Sequence, residues 1–183
     1  MIEVIDNFIP LHKQNIIYKI VNSDGFDWVW TNTINYDLMN EKDRWYKPNK
    51  KQFVHHLIVN GESVSDYSAF IIKNLNLEKY NILRAKINLN LPSGKKQVIT
   101  PHIDVINDEF ESMIYYINDS DGDTIIYNDR TYCNYKPKFW WKKTRITPKK
   151  GRIVKFPSNI LHSGNIPNRY DCRMVINVIY NPN

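Results

Sequence analysis

His102, Ile103 and Asp104 place an imidazole and a carboxylate two residues apart. On an extended strand, positions i and i+2 point to the same side, so both side chains can reach one ion. Asp104 offers a hard oxygen and a negative charge, and His102 offers a nitrogen. A third ligand must come from elsewhere, and His162 is the leading candidate among the five histidines. Two imidazoles and one carboxylate on one face of an octahedron leave its other positions open for a co-substrate and dioxygen, the arrangement of non-heme iron(II) oxygenases. A His-X-Asp triplet arises often by chance, and a lone histidine near a strand end is more often a satisfied surface or core residue. The surroundings decide between these readings.

The elements around the triplet read as short strands. After residue 80 helical periodicity disappears, and β-type runs follow at 82–91, 97–100, 112–118, 124–127, 139–146, 152–156 and 173–180. Turn signals separate them at Pro92-Ser93-Gly94, at 119–122, at 148–151 and at Pro167-Asn168. Earlier in the chain, 2–5 reads as a strand. Pro10 opens a helix with Ile16, Ile17, Ile20 and Val21 on its apolar stripe. Residues 28–30 and 52–59 read as extended and 33–50 as a loop. A second helix fits 63–74, with Val64, Tyr67, Phe70, Ile71 and Leu75 on one side. Helices early and strands late predict a mainly β (α+β) fold: a double-stranded β-helix, or jelly roll, with N-terminal helices on one outer face.

The 183 residues fit one domain with a sizeable core. A net charge of +6 is a mild lean toward anionic partners. A dedicated nucleic-acid binder carries a denser basic stripe, and the one candidate stripe spans 136–150. Cys133 and Cys172 are too few for a disulfide framework, which favours a reducing, cytoplasmic setting. No run approaches the 18 apolar residues of a membrane span, and the first residues do not form a signal peptide.

In sequence order, several segments resemble the 2-oxoglutarate/Fe(II) dioxygenases, in particular the prolyl-hydroxylase-like branch with its small phage and bacterial members. They are Ile2 to Ile9 before the first helix, Thr100-Pro101-His102-Ile103-Asp104, and Met113 to Asn118 with the turn Asp121 to Thr124. Pro148 to Ser158 then leads into Leu161-His162-Ser163-Gly164, and Arg173 to Tyr180 closes the set. The resemblance covers most of the chain. It implies a hydroxylase using Fe(II), 2-oxoglutarate and O2, with His102, Asp104 and His162 as metal ligands, working inside a bacterial host.

The family places a basic residue about ten positions after the second histidine, and Arg173 lies eleven after His162. A planar guanidinium suits the distal carboxylate of 2-oxoglutarate because it can bind through two parallel hydrogen bonds. Tyr116 matches a tyrosine that lines the same pocket. Tyr115 and Tyr116 face opposite ways, so only one can serve. Thr124 and Asn177 fall on pocket-facing positions, as co-substrate contacts or polar fillers. The family's tyrosine on the strand before the metal motif is absent here, and Asn88 is the candidate substitute.

The implied substrate is a small molecule or peptide, first a peptidyl or free amino-acid side chain. Residues expected to choose it are Trp28, Trp30, Trp45, Tyr46, His55 and the loop 131–143. Of His55 and His56, adjacent on a strand, one should be packed and the other exposed. Lys136 to Lys143 interleaves basic and aromatic side chains, which could stack bases or cap the barrel, and capping is favoured. Nucleic-acid demethylation and a non-catalytic jelly-roll binding module are the alternatives.

Overall fold

From Arg84 to Asn90 polar and apolar residues alternate: Arg84, Lys86, Asn88 and Asn90 on one face, Ala85, Ile87 and Leu89 on the other. Strict alternation makes a strand with two chemically distinct faces. The computed structural model places this strand inside a large sheet and describes residues 1–31, 52–95, 97–99, 101–128 and 142–183. Its elements are β1 (Glu3–Ile5), α1 (Leu11–Val21), β2 (Val29–Thr31), β3 (Gln52–Val59), β4 (Glu62–Ser63), α2 (Ser68–Asn74) and β5 (Asn81–Asn90). There follow β6 (Gln97–Val98), β7 (Glu111–Tyr116), β8 (Thr124–Tyr127), β9 (Lys143–Ile146), β10 (Ile153–Pro157), β11 (His162–Ile166) and β12 (Arg173–Asn181).

Eight strands form one sheet, in the order β1-β10-β7-β12-β5-β3-β2 with β4 on the edge of β3. Four form the second sheet, β6-β11-β8-β9, and every pairing is antiparallel. The expected jelly roll is thus observed, with both helices on one outer face. Ile17 and Val21 of α1 and Ile71 and Ile72 of α2 pack with Ala85, Ile87, Met113, Tyr115, Ile176 and Val178 on the large sheet. The opposite face of that sheet meets the small one through Ile114, Tyr116, Ile126, Val154, Phe156 and Val175. Tyr115 and Tyr116 therefore lie in different cores. With both faces covered, β7 and β12 are almost continuously buried.

Several sequence expectations change. The second helix begins at Ser68, because Glu62 and Ser63 pair with β3 and residues 65–67 form a turn. Val64 and Phe70 are exposed, whereas Ile72 joins the core. In α1, Ile16 is exposed and Gln14 is buried, its amide donating to the carbonyl of Ile9 at 2.9 Å. β11, polar and glycine-containing, carries no strand signature and was not expected. Of the expected run 139–146, the described part forms β9 from Lys143, and residues 139–141 lie outside the described residues, as do the loop 33–50 and Cys133. Cys172 is a half-buried free thiol. No described helix is long and apolar enough to cross a membrane.

Gly151 joins the N-terminal segment to the sheet. Its N–H donates to Tyr116 and its carbonyl accepts from Phe8. Its φ is 78°, and a Cβ there would run into the buried side chain of Gln14. Gly151→Ala should lower the unfolding free energy by about 2 kcal/mol, from the left-handed backbone penalty plus displacement of Gln14. Urea denaturation followed by tryptophan fluorescence measures it.

Candidate metal centre

His162 is the first residue of β11. Its backbone exchanges two hydrogen bonds with His102, each 2.8 Å. This isolated bridge puts the two residues directly opposite each other, with ring centroids 4.4 Å apart. His102 is not part of a longer strand, contrary to the expectation, so the local pairing with His162 takes over the aligning role. Asp104 is held next along by its N–H, which donates to the carbonyl of Ser158 at 2.9 Å. Donor atoms of His102, Asp104 and His162 all lie within 4.8 Å of one another.

The hydrogen bonds around His162 define its chemistry. Nδ1 lies 3.0 Å from the carbonyl of Ile160, which can only accept, so Nδ1 carries the proton. In the neutral ring Nε2 then presents a lone pair. It is buried, has no hydrogen-bond partner among the described residues, and lies 3.5 Å from Oδ2 of Asp104. A lone pair facing a carboxylate oxygen in a buried site calls for a cation between them. Phe156 stands edge-on to the ring at 4.8 Å and restricts its rotation.

Asp104 is buried, and its carboxylate is held at both oxygens. Arg84 donates through Nη2 to Oδ1 at 3.0 Å, and Ser112 donates to Oδ2 at 2.6 Å. Ser158 supports Ser112 at 2.9 Å. Burial pushes the pKa of Asp104 up, but positive charge carried by the imidazoles of His162 and His102, the Arg84 guanidinium and the Ser112 hydroxyl together outweigh it and bring it down to about 2; a cation held between the rings acts in the same direction. The group is therefore anionic at neutral pH. Two neutral-capable nitrogens and one hard anionic oxygen fit a divalent first-row metal.

A cavity runs from His102 and His162 to Arg173. Arg173 is buried and charged, with Nε donating to the carbonyl of Gly122 at 2.7 Å and Nη2 to Thr124 Oγ1 at 2.9 Å. Tyr116 donates to the same Oγ1 at 2.7 Å. With two bonds accepted, the Thr124 hydroxyl keeps its proton to donate into the cavity it lines. Tyr116 does not line the cavity and acts on it through Thr124. Burial pushes its phenol pKa up, so it stays a neutral donor. Gly122 is a place of close approach: a Cβ there would sit 2.6 Å from the carbonyl of Asn165 and 2.7 Å from Arg173 Cδ. Asn88 on β5 and Asn177 on β12 line the wall between, each with a buried amide oxygen that has no hydrogen-bond partner among the described residues.

All eight expected site residues are thus brought to one region, seven of them on the cavity or the metal ligand set and Tyr116 behind it. The residues expected to select substrate divide differently. His55 is buried on the helix side, with Nδ1 2.8 Å from the carbonyl of Asp27 and Nε2 2.7 Å from Ser65 Oγ. His56 is the exposed member of the pair. Trp28 packs against the helix-side core, and Trp30 lies half-exposed against Phe53. Trp45, Tyr46 and residues 131–141 of the loop lie outside the described residues. Sequence reasoning missed Arg84, Lys86, Ser112, Ser158 and Gly122. The alternation along β5 was a usable signal for Arg84 and Lys86, since it puts them on the same face as Asn88.

No family model matches the sequence, and no curated protein does. Solved structures do match. An oxidoreductase of the 2OG-Fe(II) oxygenase family from Burkholderia pseudomallei aligns with 98% of this chain and 84% of its own, at 12% identity and a TM-score of 0.68. The epimerase SnoN from nogalamycin biosynthesis, solved in complex with Fe3+, alpha ketoglutarate and nogalamycin RO, aligns with 98% of this chain and 78% of its own, at 10% identity and a TM-score of 0.63. A Pseudomonas putida prolyl-4-hydroxylase aligns with 98% and 92%, at 11% identity and a TM-score of 0.60. The chain has the fold of the 2-oxoglutarate/Fe(II) oxygenases.

His162→Ala should abolish tight binding of Mn(II) or Co(II), and Ser112→Ala should weaken it about tenfold by loosening Asp104. Equilibrium dialysis of the purified variants, with folding checked by circular dichroism, measures both.

Proposed function

We propose that this chain, acting as a single catalytic domain over residues 1–183, is an iron(II)- and 2-oxoglutarate-dependent dioxygenase. Its reaction is hydroxylation of a peptidyl or free amino-acid side chain, with succinate and carbon dioxide as co-products. The observation that carries this reading is the buried, unpaired Nε2 of His162, facing Asp104 Oδ2 beside His102 at one end of a cavity whose other end is a buried guanidinium. The fold it shares with a structure holding Fe3+ and alpha ketoglutarate supports the same pair of groups here.

His102, Asp104 and His162 would hold the metal from one side and leave the side toward the cavity open. Arg173 and the Thr124 hydroxyl would bind the distal carboxylate of 2-oxoglutarate, and Tyr116 would fix Thr124 in the donating orientation. Asn88 and Asn177 offer side-chain amides along the length of the bound diacid. Ile114 and Val175 give the cavity an apolar wall that limits water. When bound, iron and 2-oxoglutarate supply the oxidising power by oxidative decarboxylation. The protein's share is positioning and electrostatics. The nucleic-acid alternative rests on Lys136 to Lys143, of which 136–141 lie outside the described residues, and the described residues do not favour it.

Anaerobic addition of Fe(II) and 2-oxoglutarate should produce the weak visible band of the iron–keto-acid chelate. Asp104→Ala and His162→Ala should lose it. Arg173→Ala should need on the order of a hundredfold more 2-oxoglutarate, as expected for losing a buried charge-assisted contact. Gly122→Ala should shift the requirement the same way by displacing Arg173. A wild-type protein with no band and no succinate formed under oxygen sinks the proposal.

A further inference from the structure

The cavity-facing side of β5 carries more positive charge than the proposed co-substrate uses. Below the metal ligands lies Arg173, already assigned to the distal carboxylate. Lys86 lines the cavity, and Arg84, two residues away on the same face of the strand, reaches Asp104, with His56 of β3 paired to Lys86 across it. The three are mutually close: after burial, the fields of Lys86 and Arg84 are what lower the pKa of His56. None of them is needed to hold 2-oxoglutarate at Arg173.

Arg84 carries the clearest sign of a missing partner. Its Nη2 is engaged by Asp104, but its Nε–H is buried with no hydrogen-bond acceptor among the described residues. A buried guanidinium donor left unpaired is costly, so an acceptor is expected there when the site is filled. Nε itself is covered while the side chain as a whole is 28% exposed, so an anion that pairs with Nε must turn the side chain as it binds. Charge balance points the same way. Leaving Lys86 aside, Arg173, Arg84 and a divalent metal carry four positive charges, against three negative on Asp104 and a dianionic 2-oxo acid. The loaded site is still cationic where substrate must approach.

We propose that Arg84, with His56 and Lys86 beside it, forms an oxyanion-binding subsite that selects a small substrate bearing its own carboxylate or phosphate. The inference rests on the oxygenase reading and narrows it, choosing the free amino-acid type over the internal residue of a peptide. The substrate's anionic group would accept from Arg84 Nε, and the carbon to be oxidised would then lie over the metal on the side away from Arg173. Arg84 serves two anions at once, orienting Asp104 through Nη2 and the substrate through Nε. Lysine, a compact point charge without the planar fork, could not hold both anions in this geometry.

The test is calorimetric titration of protein loaded with Mn(II) and 2-oxoglutarate. One arm compares each common amino acid with its carboxamide, and the other compares phosphomonoesters with their parent alcohols. At least one acid should bind about tenfold or more tightly than its neutral counterpart, and Arg84→Gln should bring the two together. Arg84→Lys should retain only part of the preference, which separates loss of charge from loss of the Nε donor. A preference confined to the second arm assigns the group as a phosphate. Wild-type protein that gives the iron chelate band yet binds acids and neutral counterparts alike, or binds neither, overturns the subsite and leaves the oxygenase reading intact. A preference that survives Arg84→Gln also overturns it. Absence of the chelate band removes the oxygenase reading itself, and this inference with it.

Discussion

Two backbone hydrogen bonds between His102 and His162 hold the functional end of this molecule together. They join a loop that follows β6 to the first residue of β11, and among the described residues they form an isolated bridge, beyond the pairing of β6 with the far end of β11. Opposed residues of an antiparallel pair present their side chains on the same side, so this bridge makes both imidazoles face Asp104. The carbonyl of Ile160 then sets the tautomer of His162. Asp104 is anchored separately, by its N–H to the Ser158 carbonyl and by Ser112 and Arg84 at its carboxylate.

The large sheet can support such a centre because its two faces do different work. The helix-side face is a conventional apolar core, built on Ile87, Met113, Tyr115, Ile176 and Val178. Burial there stabilises the sheet, so its other face can carry buried polar groups that contribute little to stability themselves. Asn88, Asn90, Lys86, Asn177 and Arg173 all occupy that inner face. Unpaired amide oxygens and an unpaired imidazole nitrogen are costly in a folded chain. Their concentration along one cavity is the mark of a site whose partners arrive as ligands.

Charge in the site is layered. Arg173 is fixed by the Gly122 carbonyl and Thr124 at one end, Asp104 is fixed at the middle, and Arg84 reaches Asp104 from beyond it. This order pairs Asp104 with Arg84 and leaves Arg173 to the Gly122 carbonyl and the Thr124 hydroxyl. Gly122 shows how closely the packing is drawn, since even a methyl group there would meet Arg173.

Much of this was legible in the chain itself. Strand alternation and turn residues located most strands within a residue or two, and β3 and β8 to the residue. Residue chemistry, with a resemblance in motif order, singled out His102, Asp104, His162 and Arg173. Local signals failed where a partner made the structure. β11 is a strand because β8 and β6 pair with it, α2 is short because β4 pairs with β3, and Gln14 is buried because Ile9 offers it a carbonyl. Ser112, Ser158 and Gly122 belong to the centre only through contacts across the fold, and serine and glycine in strands and turns carry no mark of that by themselves. The sequence by itself determined which side chains offer imidazole nitrogens, a carboxylate and a guanidinium at suitable spacing, because those are properties of residue type and short spacing. Only the tertiary structure decided that they converge, that Nε2 of His162 is left unpaired, and which neighbours brace them, because those depend on packing between segments far apart in the chain.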